Sequence, residues 1–314
     1  MRKGEGRAPH HRPRVVVVGD LIVDVVLAPS ADLVSGTDVP GRVMLRQGGS
    51  ATTTARWLAR RGASVGLVAS VGRDPAGRTL IATIRHDGVT PHVVRIAGYQ
   101  TGRVGVFVAP GGERSFVQDR AAALRLAPEH LRERWFASAE LVHIPTYSLL
   151  DHPLGEAGRR AAEFAHAAGA LVTVDLSSSG PLLALGRSGA LEVVCGARPD
   201  LLFAAGSEAG ALADDEDSLL EVAPIVVLKR GPRGASLLYR DGGAAHRVEV
   251  AAQPVEAADT TGAGDAFDAG FILGWLAARR SGASLAAALR RGAVEGNRLA
   301  ARHLLRPRKE LAFD

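Results

Sequence analysis

Asp259-Thr260-Thr261-Gly262-Ala263-Gly264-Asp265-Ala266-Phe267 leads straight into an apolar run that continues to Leu276. Such a turn of small residues delivers the chain into a helix whose first N–H groups have no internal partners. Together with the helix dipole, those groups make an anion site. Gly262, Ala263 and Gly264 have little or no side chain, so a phosphate can approach the backbone closely. Asp265 sits at the mouth of that site. A carboxylate there can cap the helix, or it can act as a general base where a hydroxyl meets a transferring phosphate. The length of the string and the buried helix behind it favour the base.

Other phosphate-binding scaffolds do not fit. A dinucleotide fingerprint needs Gly-x-Gly-x-x-Gly directly after the first strand, but the valine run at 15–18 is followed by Gly19-Asp20-Leu21-Ile22. No Gly-Lys-Ser/Thr loop and no His-Arg-Asp loop occurs.

Outward from this motif, short apolar segments at 15–18, 65–69, 141–144, 171–174 and 225–228 read as strands. Helical stretches at 51–61, 76–86, 153–168 and 285–305 accompany them, and Ala168-Gly169 supplies a helix stop. Continuous apolar strands separated by helices predict a mainly parallel sheet covered on both faces, a three-layer α/β/α core. Residues 21–47 and 92–118 break that rhythm. They read as strands with turns at Pro40-Gly41 and Pro110-Gly111-Gly112, and predict a small β-sheet lid. The expected organisation is a flexible tail at 1–13 and a single domain at 14–314.

With 46% hydrophobic and 23% charged residues, the 314-residue chain has material for a buried core and does not read as disordered. A net charge of +5 raises a nucleic-acid reading. Yet Arg60-Arg61, Arg159-Arg160 and Arg290-Arg291 fall on predicted helices with few aromatics between them, as solvated faces do. No nucleic-acid partner is expected. Cys195 is the only cysteine, which excludes an intrachain disulfide, fits a cytoplasmic protein and reads as a small buried apolar residue. The run at 15–18 is too short for a signal peptide core or a membrane span, so no membrane partner is expected.

Several further motifs stand in order along the chain: Gly48-Gly49-Ser50-Ala51-Thr52-Thr53, Val71-Gly72-Arg73-Asp74-Pro75-Ala76-Gly77, Asp87-Gly88-Val89, and Val227-Leu228-Lys229-Arg230-Gly231-Pro232-Arg233-Gly234. With the 259–267 string, they resemble the landmarks of the ribokinase-like (PfkB) carbohydrate kinase family over nearly the whole chain. The resemblance implies ATP and Mg2+ as cofactors and a sugar or nucleoside as acceptor. Asp265 would be the base, and the N–H groups of Gly262, Ala263, Gly264 and Asp265 the anion hole. Asp24, Gly48, Gly49 and Thr53 would meet the acceptor, Asp24 as a carboxylate able to accept two hydroxyl protons. Lys229, Gly231, Gly234 and Asn297 would lie beside the nucleotide. Glu208 would order water around Mg2+, and Asp259 with Thr261 is the candidate site for a monovalent cation, K+. Relatives often dimerise through the lid, so a homodimer is a candidate assembly.

Four departures bear on the expectation. Thr53 stands where many relatives carry an acceptor-contacting Asn, and Ala205 replaces the Asn of an Asn-x-x-Glu motif whose Glu208 is retained. Leu176-Ser177-Ser178-Ser179-Gly180 follows Asp175 where relatives show Asn and Arg, and the C-terminal segment does not complete a cation site. None touches Asp265. The leading expectation is therefore an ATP-dependent sugar kinase. A nucleoside kinase of the same family, or a weakly catalytic sugar- or nucleotide-binding sensor, is the alternative.

Overall fold

The computed structural model describes residues 12–257, 259–306 and 309–311. The expected N-terminal tail lies outside the described residues up to residue 11.

Nine strands form the large sheet: β1 (Arg14–Val18), β4 (Ser64–Gly72), β5 (Val89–Ile96), β8 (Leu141–Pro145), β9 (Leu171–Asp175), β10 (Leu201–Ala205), β11 (Ile225–Lys229), β12 (Ala235–Asp241) and β13 (Ala244–Val250). Their order is β13-β12-β11-β10-β9-β8-β1-β4-β5, parallel except for the β11-β12-β13 meander at one edge. The valine run of β1 has no solvent-facing side because alternate residues feed different layers. Val15 and Val17 pack with the cluster holding Leu58, Phe271 and Trp275, while Val16 and Val18 pack with Ala157, Ala161 and Val172.

The helices are α1 (Ser50–Arg60), α2 (Pro75–His86), α3 (Tyr147–Leu150), α4 (Leu154–Ala167), α5 (Ser179–Ala184), α6 (Gly186–Cys195), α7 (Gly206–Leu212), α8 (Ala263–Arg280) and α9 (Leu285–Leu304). Asp74 caps α2 by accepting from the Gly77 N–H, and its carboxylate also receives the Thr101 N–H and hydroxyl. Within the first cluster, α8 and α9 pack backbone to backbone. A Cβ on Gly270 would stand 2.4 Å from the Glu295 carbonyl oxygen. This close approach holds the start of α8 rigidly over the sheet.

A second sheet contains β2 (Ile22–Pro29), β3 (Gly41–Gly48), β6 (Arg103–Val108) and β7 (Arg114–Asp119), in the order β3-β2-β6-β7. Its alternation sorts Leu27, Val43 and Val117 to one exposed face, with Asp24, Arg46, Val104 and Phe116 on the other, where they line a cleft.

Two expectations are corrected. The stretch at 93–96, assigned to the lid, belongs to β5 and pairs in parallel with β4 from Val65↔Val89 to Gly72↔Ile96. Alternation marks a strand without naming its partner, and the nearer free edge was that of the large sheet. Cys195 is exposed rather than buried: it ends α6, where Val194 takes the inward position. Among the described residues no helix is long and apolar enough to cross a membrane.

The α8–α9 contact has no room for a methyl group. Gly270→Ala should lower unfolding stability by about 1–3 kcal/mol, read as a drop in urea midpoint. An unchanged midpoint would mean the two helices separate at no cost.

Candidate active site

The parallel strands end on one side of the sheet, and polar residues collect there because open α/β sheets leave a crevice beyond their carboxyl ends. Asp20 follows β1, Asp175 ends β9, Ala205 ends β10 and Lys229 ends β11. The lid stands over them, enclosing a cleft of about 1060 Å³.

The 259–267 motif forms one wall. Gly262 adopts φ 77°, the left-handed region that glycine enters without strain, and α8 begins at the next residue. Asp265 is therefore the third residue of α8, in the first turn, beside N–H groups without helical partners. The Ser50 hydroxyl, at the start of α1, donates to Asp265 Oδ1 at 2.6 Å. Burial pushes the Asp265 carboxyl up to about 7. The Ser50 hydrogen bond and Lys229 oppose that rise, and the charges of Asp175 and Asp24 add to it.

Behind the anion turn lies a buried charge cluster. Lys229 Nζ contacts Asp175 Oδ1 at 2.5 Å and Asp268 Oδ2 at 3.5 Å. Asp268 is fully buried one helical turn after Asp265. A Cβ on Gly264 would meet Lys229 Nζ at 3.4 Å, so the ammonium sits directly against the anion turn. Burial alone would depress the Lys229 pKa, but Asp175, Asp268 and Glu208 outweigh it and raise the value. Glu208 accepts from the Ala205 N–H at 2.6 Å, and burial followed by the Asp175 charge pushes its pKa upward. It serves as a helix-start acceptor and lines the cleft at the same time.

Among the described residues, no three His, Cys, Asp or Glu side chains converge as a metal cage. The charge balance is nonetheless suited to a divalent ion. Three carboxylates face one ammonium, and Glu208 is raised by burial first and then by the charge of Asp175. Such a surplus fits Mg2+ that arrives on nucleotide phosphates and keeps its waters.

The opposite wall comes from α1 and the lid. Asp24 lies over Gly48, where a Cβ would fall 1.9 Å from Asp24 Oδ1, so only glycine leaves space for that carboxylate. Gly49 passes against the Asp20 carbonyl with φ 100°. The Thr53 hydroxyl donates to the Gly49 carbonyl at 3.0 Å, one turn back in its own helix. Arg120 bolts the lid to the core: its guanidinium grips both oxygens of Asp20 at 2.8 and 2.9 Å and one of Asp151 at 2.9 Å.

Asp259, the monovalent-cation candidate, is engaged by guanidinium groups from the lid. Arg114 approaches its Oδ1 at 2.8 Å and Arg46 its Oδ2 at 3.4 Å. Asp259 also accepts the Thr261 N–H at 3.1 Å. The positive charge opposite this carboxylate is thus arginine's, supplied by β3 and β7.

The fold brings Asp24, Gly49, Thr53, Glu208, Lys229, Gly231, Gly262, Gly264 and Asp265 into one cleft lining. Ala263 and Gly48 do not line it: the Ala263 N–H donates to the Thr260 carbonyl at 3.2 Å, and Gly48 lies under Asp24. Gly234 and Asn297 do not line the cleft. Gly234 turns the chain against the Val250 carbonyl at φ 99°, and Asn297 Nδ2 donates to the Val250 and Ala251 carbonyls. Sequence reasoning gave Ser50 no role and missed Asp268, Arg114 and the Trp57–His303 pair. Asp268 carried a usable signal, a carboxylate three residues after Asp265 inside an apolar helix.

A family-level match described as pfkB family carbohydrate kinase spans residues 12–301. The chain is 30% identical over 276 residues to a fructokinase from Klebsiella pneumoniae, covering 84% of this chain and 85% of the relative. It is 33% identical to an ATP-dependent ribose-1-phosphate kinase from Halopiger xanaduensis, covering 73% of each. The crystal structure of adenosine kinase from Sinorhizobium meliloti superposes with a TM-score of 0.80 at 27% identity, covering 96% of this chain and 98% of that one.

A carboxyl raised from 3.8 to about 7 holds its proton more tightly when folded, so ionisation costs stability progressively between those pH values. Asp265→Asn should therefore raise the thermal midpoint, and the gain should be larger at pH 8 than at pH 5. Equal gains at both pH values would refute the raised pKa.

Proposed function

The chain belongs to the pfkB family of carbohydrate kinases, and on that footing we propose that it transfers the γ-phosphoryl group of ATP to a hydroxyl of a small sugar or sugar-like acceptor, with Asp265 as general base. The observation that carries the reading is the position of Asp265. It combines a pKa of about 7, a fixed orientation from Ser50, and a place in the first turn of α8 beside N–H groups that have no partner within the helix. A base poised near neutrality both deprotonates readily and accepts a proton effectively.

In this reading the acceptor hydroxyl lies between Asp265 and the turn, and Asp24 holds neighbouring hydroxyls. Asp265 takes the hydroxyl proton as the oxygen attacks phosphorus. The N–H groups of Gly262, Gly264 and Asp265 receive the charge on the transferring group, while that of Ala263 donates to the Thr260 carbonyl at 3.2 Å and holds the turn, with Lys229 adding its field through the gap at Gly264. Asp175 and Glu208 would hold Mg2+ through water, and the ion would supply positive charge that offsets that of the nucleotide phosphates. Gly231, on the cleft rim at the end of β11, marks the nucleotide side. The lid excludes water so that transfer prevails over hydrolysis. Its face bearing Leu27, Val43 and Val117 is the surface for pairing with a second copy.

The relatives named above act on different acceptors, so a nucleoside kinase stays in the same reading. The sensor alternative draws on Ala205 and on Thr53, whose hydroxyl is turned to its own helix. The raised pKa of Asp265 weighs against it, since a pure binder gains nothing from a base tuned to pH 7.

The first test is acceptor-dependent ADP release with Mg-ATP across sugars, sugar derivatives and nucleosides. Asp265→Asn should lower kcat by at least ~10²-fold while ATP binding by calorimetry persists. Turnover near wild type would remove Asp265 from its role. In the wild type, kcat/KM should fall about tenfold per unit as pH drops below about 7. Ser50→Ala removes a hydrogen bond to the charged form and should move that acid limb upward by about one pH unit; an unmoved limb would mean Ser50 does not tune the base.

A further inference from the structure

The cleft continues beyond Asp265 along α1. Ser50, Thr53, Trp57 and Arg60 recur at helical spacing on its cleft side, with Arg56 beside them. At the helical rise, Arg56 stands roughly 9 Å past Ser50 along the axis. That distance spans a monosaccharide ring and one substituent, given the reach of an arginine side chain.

The outer end has a distinct chemistry. Trp57 forms its centre and is held in place: Nε1 donates to His303 Nδ1 at 2.9 Å, and His303 Nε2 then donates to the Thr261 carbonyl at 2.7 Å. The guanidinium groups of Arg60 and Arg306 each lie 5.9 Å from the Trp57 ring. Arg56 and Arg60 share a single carboxylate, Asp87. Arg306 lies over Trp57, Lys309 also lines the cleft, and no carboxylate among the described residues pairs with either.

Positive charge therefore exceeds negative charge at a half-buried place. Its effect is felt at Arg56, whose pKa is lowered by burial and then by Arg60 and Arg306, against the pull of Asp87. The inner end is the reverse, with Asp24, Asp175, Glu208 and Asp265 on its walls. A neutral sugar would satisfy the carboxylates and leave the guanidinium groups unneutralised. An acceptor with hydroxyls at one end and an anion at the other satisfies both, and the arginine fork matches a phosphate or carboxylate in shape.

Resting on the phosphotransfer reading above, we infer that the acceptor is a sugar bearing an anionic group, a phosphate ester or a carboxylate, which docks on Arg56, Arg60 and Arg306 beside Trp57. Trp57 gives the group a rigid apolar backing, and Lys309 adds a further cation at the rim.

Two measurements test this together. Acceptor-dependent ADP release is compared within matched pairs: fructose against its 1- and 6-phosphates, ribose against its 5-phosphate, and glucose against gluconate. Inorganic phosphate binding without nucleotide is followed by calorimetry. The expected result is kcat/KM at least ~100-fold higher for an anionic member of one pair. Arg306→Gln, at an exposed position, should reduce that ratio about tenfold through KM. Arg56→Gln should do the same, with circular dichroism checking its fold. Which pair responds separates phosphate from carboxylate. ADP release from neutral sugars, with no preference for anionic partners and no phosphate binding, overturns the anion subsite and keeps the kinase. Phosphate binding that Arg306→Gln abolishes, without ADP release from any acceptor, keeps the subsite and overturns the kinase.

Discussion

The contact on which the site depends is the ammonium of Lys229 wedged between Asp175 and Asp268. It ties together the ends of β9 and β11 and the first turns of α8, three elements far apart in sequence. Each ion in such a cluster loses hydration on burial, and only close opposite charges make the arrangement tolerable. Removing one partner would leave the others uncompensated. The same cluster reaches the anion turn, because Lys229 lies against Gly264 and the charge of Asp175 adds to the burial that raises Asp265, with Lys229 opposing it.

A second set of contacts couples the lid to that turn. Arg120 anchors the lid's base on Asp20, while Arg46 and Arg114 meet Asp259 just ahead of the anion turn. A lid that lifted would break the Arg114–Asp259 pair and loosen the residues leading into Gly262. Closure over the acceptor and formation of the anion hole are in this way parts of one arrangement. The Trp57–His303–Thr261 relay makes a similar link from α1, so three walls of the cleft converge on the same few backbone groups.

Much of this was legible from residue order alone. The valine run of β1 and its counterparts announced a sheet covered on both faces, and the small residues of 262–264 announced a backbone anion site. Those features are local: burial on both faces needs continuous apolar residues, and a close phosphate needs missing side chains. The strand at 93–96 was visible as a strand but was assigned to the lid, since its pairing with β4 is a long-range choice. Ser50 carried no local signal. A serine at a helix start reads as a cap, and only the packing of α1 against α8 sets its hydroxyl on Asp265.

Residue order is enough for the layered α/β architecture, the anion turn and the carboxylate beside it, because each follows from periodicity or from side-chain size within a few residues. Tertiary structure decided the ionic partners. Lys229 is turned toward Asp175 and Asp268, Asp259 toward the lid arginines, and Arg56, Arg60 and Arg306 gather around Trp57. Charge pairing depends on distance in space, and distance in space between residues hundreds of positions apart is set only when the sheets and helices have packed.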